Sequence, residues 1–182
     1  YLGYKANREE MPAELPPQIE KIKEIITAFN IPQFVLPGYE ADDIIGTLSR
    51  QLEMRPLGTE PELMTMIVTG DRDAFQLVTD RTHVWMPGRS KPVRTMDTEY
   101  DPDGVKKKMG VRPDQIVDLK ALMGDASDNI PGVPGIGEKT AVKLLTEFGT
   151  VEKLYQTIKD ENLMIGSDKH PILRGSLLKK LA

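Results

Sequence analysis

The sequence predicts an α/β protein: a mainly parallel sheet flanked by helices, followed by a small helical subdomain. Three observations carry this. Apolar strand-like runs alternate with helical-period segments up to about residue 100. One of them, Met64 to Thr69, is continuously apolar and rich in β-branched residues, as in a parallel strand covered on both faces. Beyond Asp101 only helical patterns remain, broken once by a Pro/Gly hairpin that runs straight into a helix. The division expected is 1–112 for the α/β part and 113–182 for the helical part.

In chain order, Tyr1 to Arg8 is short, basic and aromatic, and Pro12, Pro16 and Pro17 separate it from the first helix. Ile19, Ile22, Ile25, Ile26 and Phe29 recur at helical spacing, which predicts an amphipathic helix over about 17–29. Phe34-Val35-Leu36, closed by Pro37-Gly38, reads as a buried strand. The next helix carries Ala41, Ile44, Ile45, Leu48 and Leu52 inward, and a Pro/Gly loop covers 55–62. After Met64–Thr69 a short helix is expected near Arg72, then a strand over Thr82–Met86 and a weaker one over Val93–Met96. Asp101-Pro102 supplies an N-cap and first-turn pair for a helix that ends at Gly110. Pro113 opens a helix to about Met123. Ala141, Leu144, Leu145 and Phe148 mark another, ended by Gly149, with Thr150 capping its successor, and a last helix starts near Pro171.

Composition narrows the chemistry. With no cysteine, the chain has no disulfides, thiolate zinc sites or cysteine nucleophiles, and two histidines leave little for imidazole metal sites or triads. No apolar run approaches the ~18 residues of a membrane span, and no basic-then-apolar leader opens the sequence. A net charge of −4 speaks against a simple basic nucleic-acid coat, unless divalent cations reverse the local sign of an acidic site. Tyr1 stands where an initiator Met would, so the chain is expected to be part of a longer one.

The acids fall in three clusters: Glu40/Asp42/Asp43, Asp71/Asp73 and Asp125/Asp128. The first two follow predicted strands across Gly-containing turns, at the sheet edge where ligand sites are built. Each has a local alternative: first-turn helix acids, a capped turn, an Asx-turn pair. EF-hand loops from Asp71 or Asp125 are excluded, since Gln76 and Ile130 stand where glycine is required. Converging carboxylates raise one another's pKa unless a cation intervenes. All-carboxylate sites favour Mg²⁺ or Mn²⁺, and seven such groups suit two ions ~3.5–4 Å apart on a phosphate.

The hairpin Gly132-Val133-Pro134-Gly135-Ile136-Gly137, continuing through Glu138-Lys139-Thr140-Ala141, points to an anion. Gly135 and Gly137 allow close backbone approach. The following helix aims its free N–H groups at the same place, Thr140 lies in its first turn, and Lys139 and Lys143 add charge. A nucleic-acid phosphate bound without sequence reading is the expected ligand.

Tyr4-Lys5-Ala6-Asn7-Arg8, Gly38 to Asp43, Thr69-Gly70-Asp71-Arg72-Asp73 and Gly124 through Ala141, in this order, resemble the 5′-nuclease (flap endonuclease) family. The likeness is strongest to the 5′–3′ exonuclease domains that accompany bacterial polymerases. It implies a PIN/5′-nuclease-like fold with a helix-hairpin-helix (helix-three-turn-helix) subdomain. It also implies metal-dependent cleavage of branched or duplex DNA bearing a 5′ flap or end, in primer removal and repair in the bacterial cytoplasm. Glu40, Asp42 and Asp43 would then serve mainly a first metal, and Asp71, Asp73, Asp125 and Asp128 a second or the bridge. Lys5 and Arg8 resemble arch residues that neutralise the scissile phosphate, and Tyr4 could stack on a base. A potassium ion at the hairpin also follows from the resemblance, and the parent is open between a full polymerase and a free-standing nuclease. The family also places two further metal-binding aspartates, with their strand, ahead of such a segment: either the parent protein has them before Tyr1, or this chain cannot hold its first metal properly.

Two rivals remain: a duplex-DNA-binding module without turnover, and a small-molecule phosphatase built on Asp71/Asp73. The second leaves the hairpin and the Lys5/Arg8 segment without a role.

Overall fold

The computed structural model describes residues 1–56, 58, 63–88, 95–163, 170–173 and 175–181. Its elements run α1 (Leu15–Ala28), α2 (Ala41–Glu53), β1 (Thr65–Val68), a 3₁₀ turn (Arg72–Leu77), β2 (Thr82–Met86), β3 (Thr98–Tyr100) and α3 (Pro102–Met109). After a 3₁₀ turn at Pro113–Gln115 come α4 (Ile116–Met123), α5 (Glu138–Phe148), α6 (Val151–Asp160) and α7 (Gly175–Leu181).

Among the described residues the α/β layer holds one three-stranded sheet, ordered β1-β2-β3. β1 pairs parallel with β2, Ile67 opposite Val84, and β3 returns antiparallel, Tyr100 opposite Val84. The expected strand at Val93–Met96 is displaced: Val93 and Arg94 lie outside the described residues, Thr95 and Met96 are irregular, and the ladder starts at Thr98. β1 is an edge strand among the described residues. Ile67 is buried, whereas Met66 and Val68 face outward, so the two-sided cover expected for this run is absent on one side.

Three further expectations are corrected in the same region. Phe34-Val35-Leu36 is not a strand: it is irregular, and its side chains are 62%, 79% and 52% exposed. Bracketed by Pro32 and Pro37, the segment is short of ladder donors, and an apolar run does not by itself specify a partner. α1 forms, with Pro16 and Pro17 in its first turn, but none of its residues is buried and Ile22, Ile25 and Phe29 face solvent. Likewise α2 half-buries Ile44, Ile45 and Leu52 while Ala41 and Leu48 stay exposed.

The core lies between the sheet and the helices that follow it. Phe75, Val84, Val105, Val111, Ile116, Leu119 and Leu122 form one buried cluster with Leu144, Leu145 and Leu154. Here the local signals act as read. Asp101 accepts the Gly104 N–H at 2.7 Å, and Gly110 ends α3 at φ 77°. Thr150 caps α6 by accepting from the Lys153 N–H. The last helix begins later than expected, at Gly175, although Leu173 is already buried ahead of it.

α4 and α5 flank the hairpin and hold it tightly. Val133 N–H bonds the Leu122 carbonyl at 2.8 Å, and Ile136 is buried beneath the turn. At Gly132 a Cβ would stand 2.2 Å from the Gly124 nitrogen, so the entering and leaving strands of the loop touch through backbone alone.

Candidate metal centre and nucleic-acid interface

Each acidic cluster first does a local job, and that job aims it. Asp43 accepts the Glu40 N–H at 2.9 Å, closing the first turn of α2 and holding Glu40, Asp42 and Asp43 together at its N-terminal end. Asp71 caps the 3₁₀ turn after β1 by accepting from Asp73 N–H at 2.9 Å. Asp125 accepts the Ser127 N–H at 2.9 Å as an Asx turn, and Asp125 and Ile130 pair through two 2.8 Å backbone bonds that close the loop carrying Asp128. The local alternatives and convergence on one site are therefore compatible.

Convergence is what the fold adds. Glu40, Asp42, Asp43, Asp71, Asp73 and Asp128 line one cleft of about 520 Å³, together with Tyr4, Lys5 and Arg8. Asp125 sits on the adjoining cleft beside Asp71 and Asp73. Among the described residues, the Asp71/Asp73 pair alone arrives from the end of a strand. The 40–43 group reaches the site from the start of α2 instead, the segment before it being irregular.

The amino-terminal segment closes the site. Residues 2–7 are successive turns, with Lys5 at φ 56°, rather than a helical arch. They are stitched to the Asp125–Asn129 loop by three bonds: Lys5 N–H to the Asp128 carbonyl (2.9 Å), Asn7 Nδ2 to the Ala126 carbonyl (2.9 Å) and Asn129 Nδ2 to the Gly3 carbonyl (2.6 Å). Arg8 then pairs with Asp128 at 2.8 Å, and Lys5 pairs with Glu40 while its ammonium stands 4.6 Å from the centre of the Tyr4 ring. The Tyr4 hydroxyl reaches Glu40 at 3.4 Å.

Lys120 is the residue sequence reasoning missed. From the last turn of α4 its ammonium donates to Asp73 Oδ1 and, at 2.6 Å, to Asp125 Oδ2. Its one sequence signal is a lysine on a mostly apolar helix stretch, five residues before Asp125.

The charges bear on what the site can hold. Burial, then Asp71, Asp73 and Glu40, push the Asp42 carboxyl above its ordinary range. Lys120, then Ser127, hold Asp125 down at about 2, and Lys5 lowers Glu40. Burial alone would lower the Lys120 pKa, but its bonds to Asp125 and Asp73 outweigh it and raise it. Asp73, Asp125 and Asp128 each offer a carboxylate oxygen, all within 4.8 Å of one another. Oxygens on opposite sides of an ion bound at ~2.1 Å stand ~4.2 Å apart, so small side-chain adjustments would fit them to one hard cation. The ammonium of Lys120 already stands in for a positive charge there.

At the hairpin, Gly135 has φ 77° and its carbonyl accepts the Lys180 ammonium at 2.8 Å, a contact the sequence did not signal. Gly137 is the N-cap of α5, its carbonyl accepting from the Thr140 and Ala141 N–H groups at 3.0 Å. Thr140 is half-buried, while Lys139 and Lys143 are exposed on α5.

A resolvase-like α/β domain joined to a helical SAM-type fold is the class this architecture defines. Residues 1–110 match the family model described as 5′-3′ exonuclease, N-terminal resolvase-like domain, and residues 111–179 match 5′-3′ exonuclease, C-terminal SAM fold. The chain belongs to the 5′–3′ exonuclease family. It is 48% identical over 157 residues to DNA polymerase I of Bacillus caldotenax and 46% identical over 158 residues to that of Bacillus subtilis. Each alignment covers 86% of this chain, which spans 17% of the length of either relative. Among solved structures, T5 5′-exonuclease with bound divalent zinc superposes with a TM-score of 0.67 at 26% identity, over 97% of this chain and 58% of that one. The catalytic core of Rad2 in complex with DNA shares the fold, with a TM-score of 0.63 at 20% identity over 96% of this chain and 52% of that one.

Proposed function

We propose that the chain is the nuclease part of a structure-selective 5′–3′ exonuclease/flap endonuclease. It hydrolyses DNA phosphodiesters with two Mg²⁺ (or Mn²⁺) ions, in primer removal and repair in the bacterial cytoplasm. The observation that carries this is the shared cleft: six carboxylates from three distant segments, lined on one side by Lys5 and Arg8. A phosphodiester needs cations on both sides, and this arrangement offers acidic groups to hold metal and basic groups to meet the phosphate. The metal-bound T5 structure and the DNA-bound Rad2 core support the same reading.

In this reading Glu40, Asp42 and Asp43 serve the first ion, and Asp71, Asp73, Asp125 and Asp128 the second or the bridge. Held there, such ions would supply activation of a water and charge compensation at the leaving oxygen. The chain's own groups do the rest. Lys5 and Arg8 exchange their carboxylate partners for non-bridging oxygens of the scissile phosphate, and Tyr4 offers a face for the terminal base. The amides around Gly135 and Gly137, with Thr140, Lys139 and Lys143, hold the duplex backbone. A potassium ion at the hairpin belongs to this proposal too. The division at 112/113 and a polymerase domain in the parent chain belong to this proposal as well.

Cleavage of a 5′-flap substrate with Mg²⁺, with and without chelator, tests it. Asp71→Ala and Asp125→Ala should abolish cutting while flap DNA still binds. Wild-type rates in either variant would refute the metal assignment. The hairpin and the exposed Lys139 and Lys143 would also serve a DNA-binding module without turnover. Salt-dependent binding with no cleavage by the parent protein would establish that reading instead.

A further inference from the structure

We infer that Lys120 is a built-in competitor for the metal centre: its ammonium and a divalent ion take the same two carboxylates, and binding the ion requires Lys120 to leave. This rests on the nuclease reading above. The geometry is direct. Asp73 Oδ1 and Asp125 Oδ2 both accept from Lys120 Nζ, and these two residues are also two of the three whose oxygens cluster within metal-ligand reach. An ion coordinated at ~2.1 Å would overlap an ammonium held by the same oxygens.

Lys120 is equipped to move. The backbone under it is fixed, because Ile116, Leu119 and Leu122 of α4 are buried and the Lys120 carbonyl receives the Gly124 N–H at 2.7 Å. The side chain is not fixed: it is 26% exposed and carries its charge on a flexible four-carbon stem. A cleft of about 580 Å³, bounded by Met109, Met123 and Ser127 among others, gives the ammonium somewhere to swing. Until the ion arrives, Lys120 has a purpose of its own. Without a cation, Asp73 and Asp125 would repel each other and splay apart. Lys120 keeps them together, so the site is ordered before it is loaded, at a cost in metal affinity equal to displacing it. Lys120 is thus a positioning residue, and its effect is read in the binding of metal rather than in contact with DNA.

The test uses the full chain, chelator-treated and then titrated with MnCl₂, with thermal unfolding and calorimetric binding as readouts. Wild type is compared with Lys120→Met and Lys120→Arg. Lys120→Met should unfold at a lower temperature than wild type when stripped of metal, and the gap should close as Mn²⁺ is added. Its Mn²⁺ affinity should be about tenfold tighter, within the usual size of a coupling between two ligands. Lys120→Arg, which keeps the charge, should stay near wild type. A gap that persists at saturating Mn²⁺, or weaker binding by Lys120→Met, overturns the inference and leaves the nuclease reading standing. Absence of any Mn²⁺ effect on wild type overturns both. A measurement on wild type alone covers the case in which Lys120→Met does not fold. Acetylation of Lys120 by an amine-reactive reagent, followed by mass spectrometry, should accelerate several-fold when MgCl₂ is added. An unchanged or slower rate refutes displacement.

Discussion

Arg8 and Asp128, 120 positions apart in the chain, meet at 2.8 Å across the mouth of the acidic cleft. The pair sits on a segment already tied down by Lys5, Asn7 and Asn129 through backbone acceptors. Arg8 itself is largely exposed, so the ion pair contributes no more than about 1 kcal/mol to stability. Arg8→Ala should therefore leave the melting temperature nearly unchanged while lowering flap cleavage by about 100-fold, the scale for losing one charge-stabilising donor. Parallel melting and single-turnover assays check this. A large drop in melting temperature with intact cleavage would make Arg8 a structural tether only.

The hairpin gives a contrast between two glycines. A Cβ at Gly132 would lie 2.2 Å from the Gly124 nitrogen and 2.3 Å from the Met123 carbonyl carbon, both backbone atoms that cannot move aside. Gly132→Ala should cost about 3 kcal/mol or more in urea unfolding, as forced overpacking does. Nothing lies within 4 Å of a Cβ at Gly137, and its φ of −101° suits any residue. Gly137→Ala should cost no more than about 1 kcal/mol, the scale of a poorer N-cap residue. Equal effects at the two sites would contradict the close packing of the loop.

Lys139 and Lys143 make a separable prediction, because both are exposed and neither belongs to the acidic cleft. Replacing both with glutamate should leave unfolding unchanged and weaken duplex binding. The slope of log K against log salt should fall by about two, one counterion per lost phosphate contact. An unaltered slope would remove the helix after the hairpin from the DNA interface.

How far the sequence could be read depended on whether its signals were local. Asp101, Pro102 and Gly110 delimit α3 because a cap and a left-handed stop act within a few residues. Thr150 caps α6 for the same reason. Phe34-Val35-Leu36 misled because apolarity announces a wish for cover but names no partner. The three acidic clusters were visible, yet their meeting rests on tertiary packing. The reason given for the 40–43 group, a strand end, was wrong even though the group reaches the cleft. Lys120 could not have been found by spacing, since one of its partners is 47 residues away.

Gln115 shows the same tertiary logic in the core, and it carries the last prediction. It is buried at the start of α4, and its side-chain nitrogen donates to the Leu145 carbonyl at 3.0 Å and the Gly149 carbonyl at 2.7 Å. Its oxygen accepts the Arg112 N–H at 3.1 Å. One amide thus reaches three backbone groups, two of them at the C-terminal end of α5. The Leu145 carbonyl also accepts the Gly149 N–H at 3.0 Å, so leucine, of similar volume, would take the side-chain partner chiefly from the Gly149 carbonyl and the Arg112 N–H, and Gln115→Leu should destabilise by on the order of 2 kcal/mol. Since α5 leaves the hairpin at its other end, loosening its C-terminus should lower stability without altering the salt slope of DNA binding under folding conditions. A urea midpoint equal to wild type would mean that water replaces the amide, and that the α4–α5 junction depends on its leucines alone.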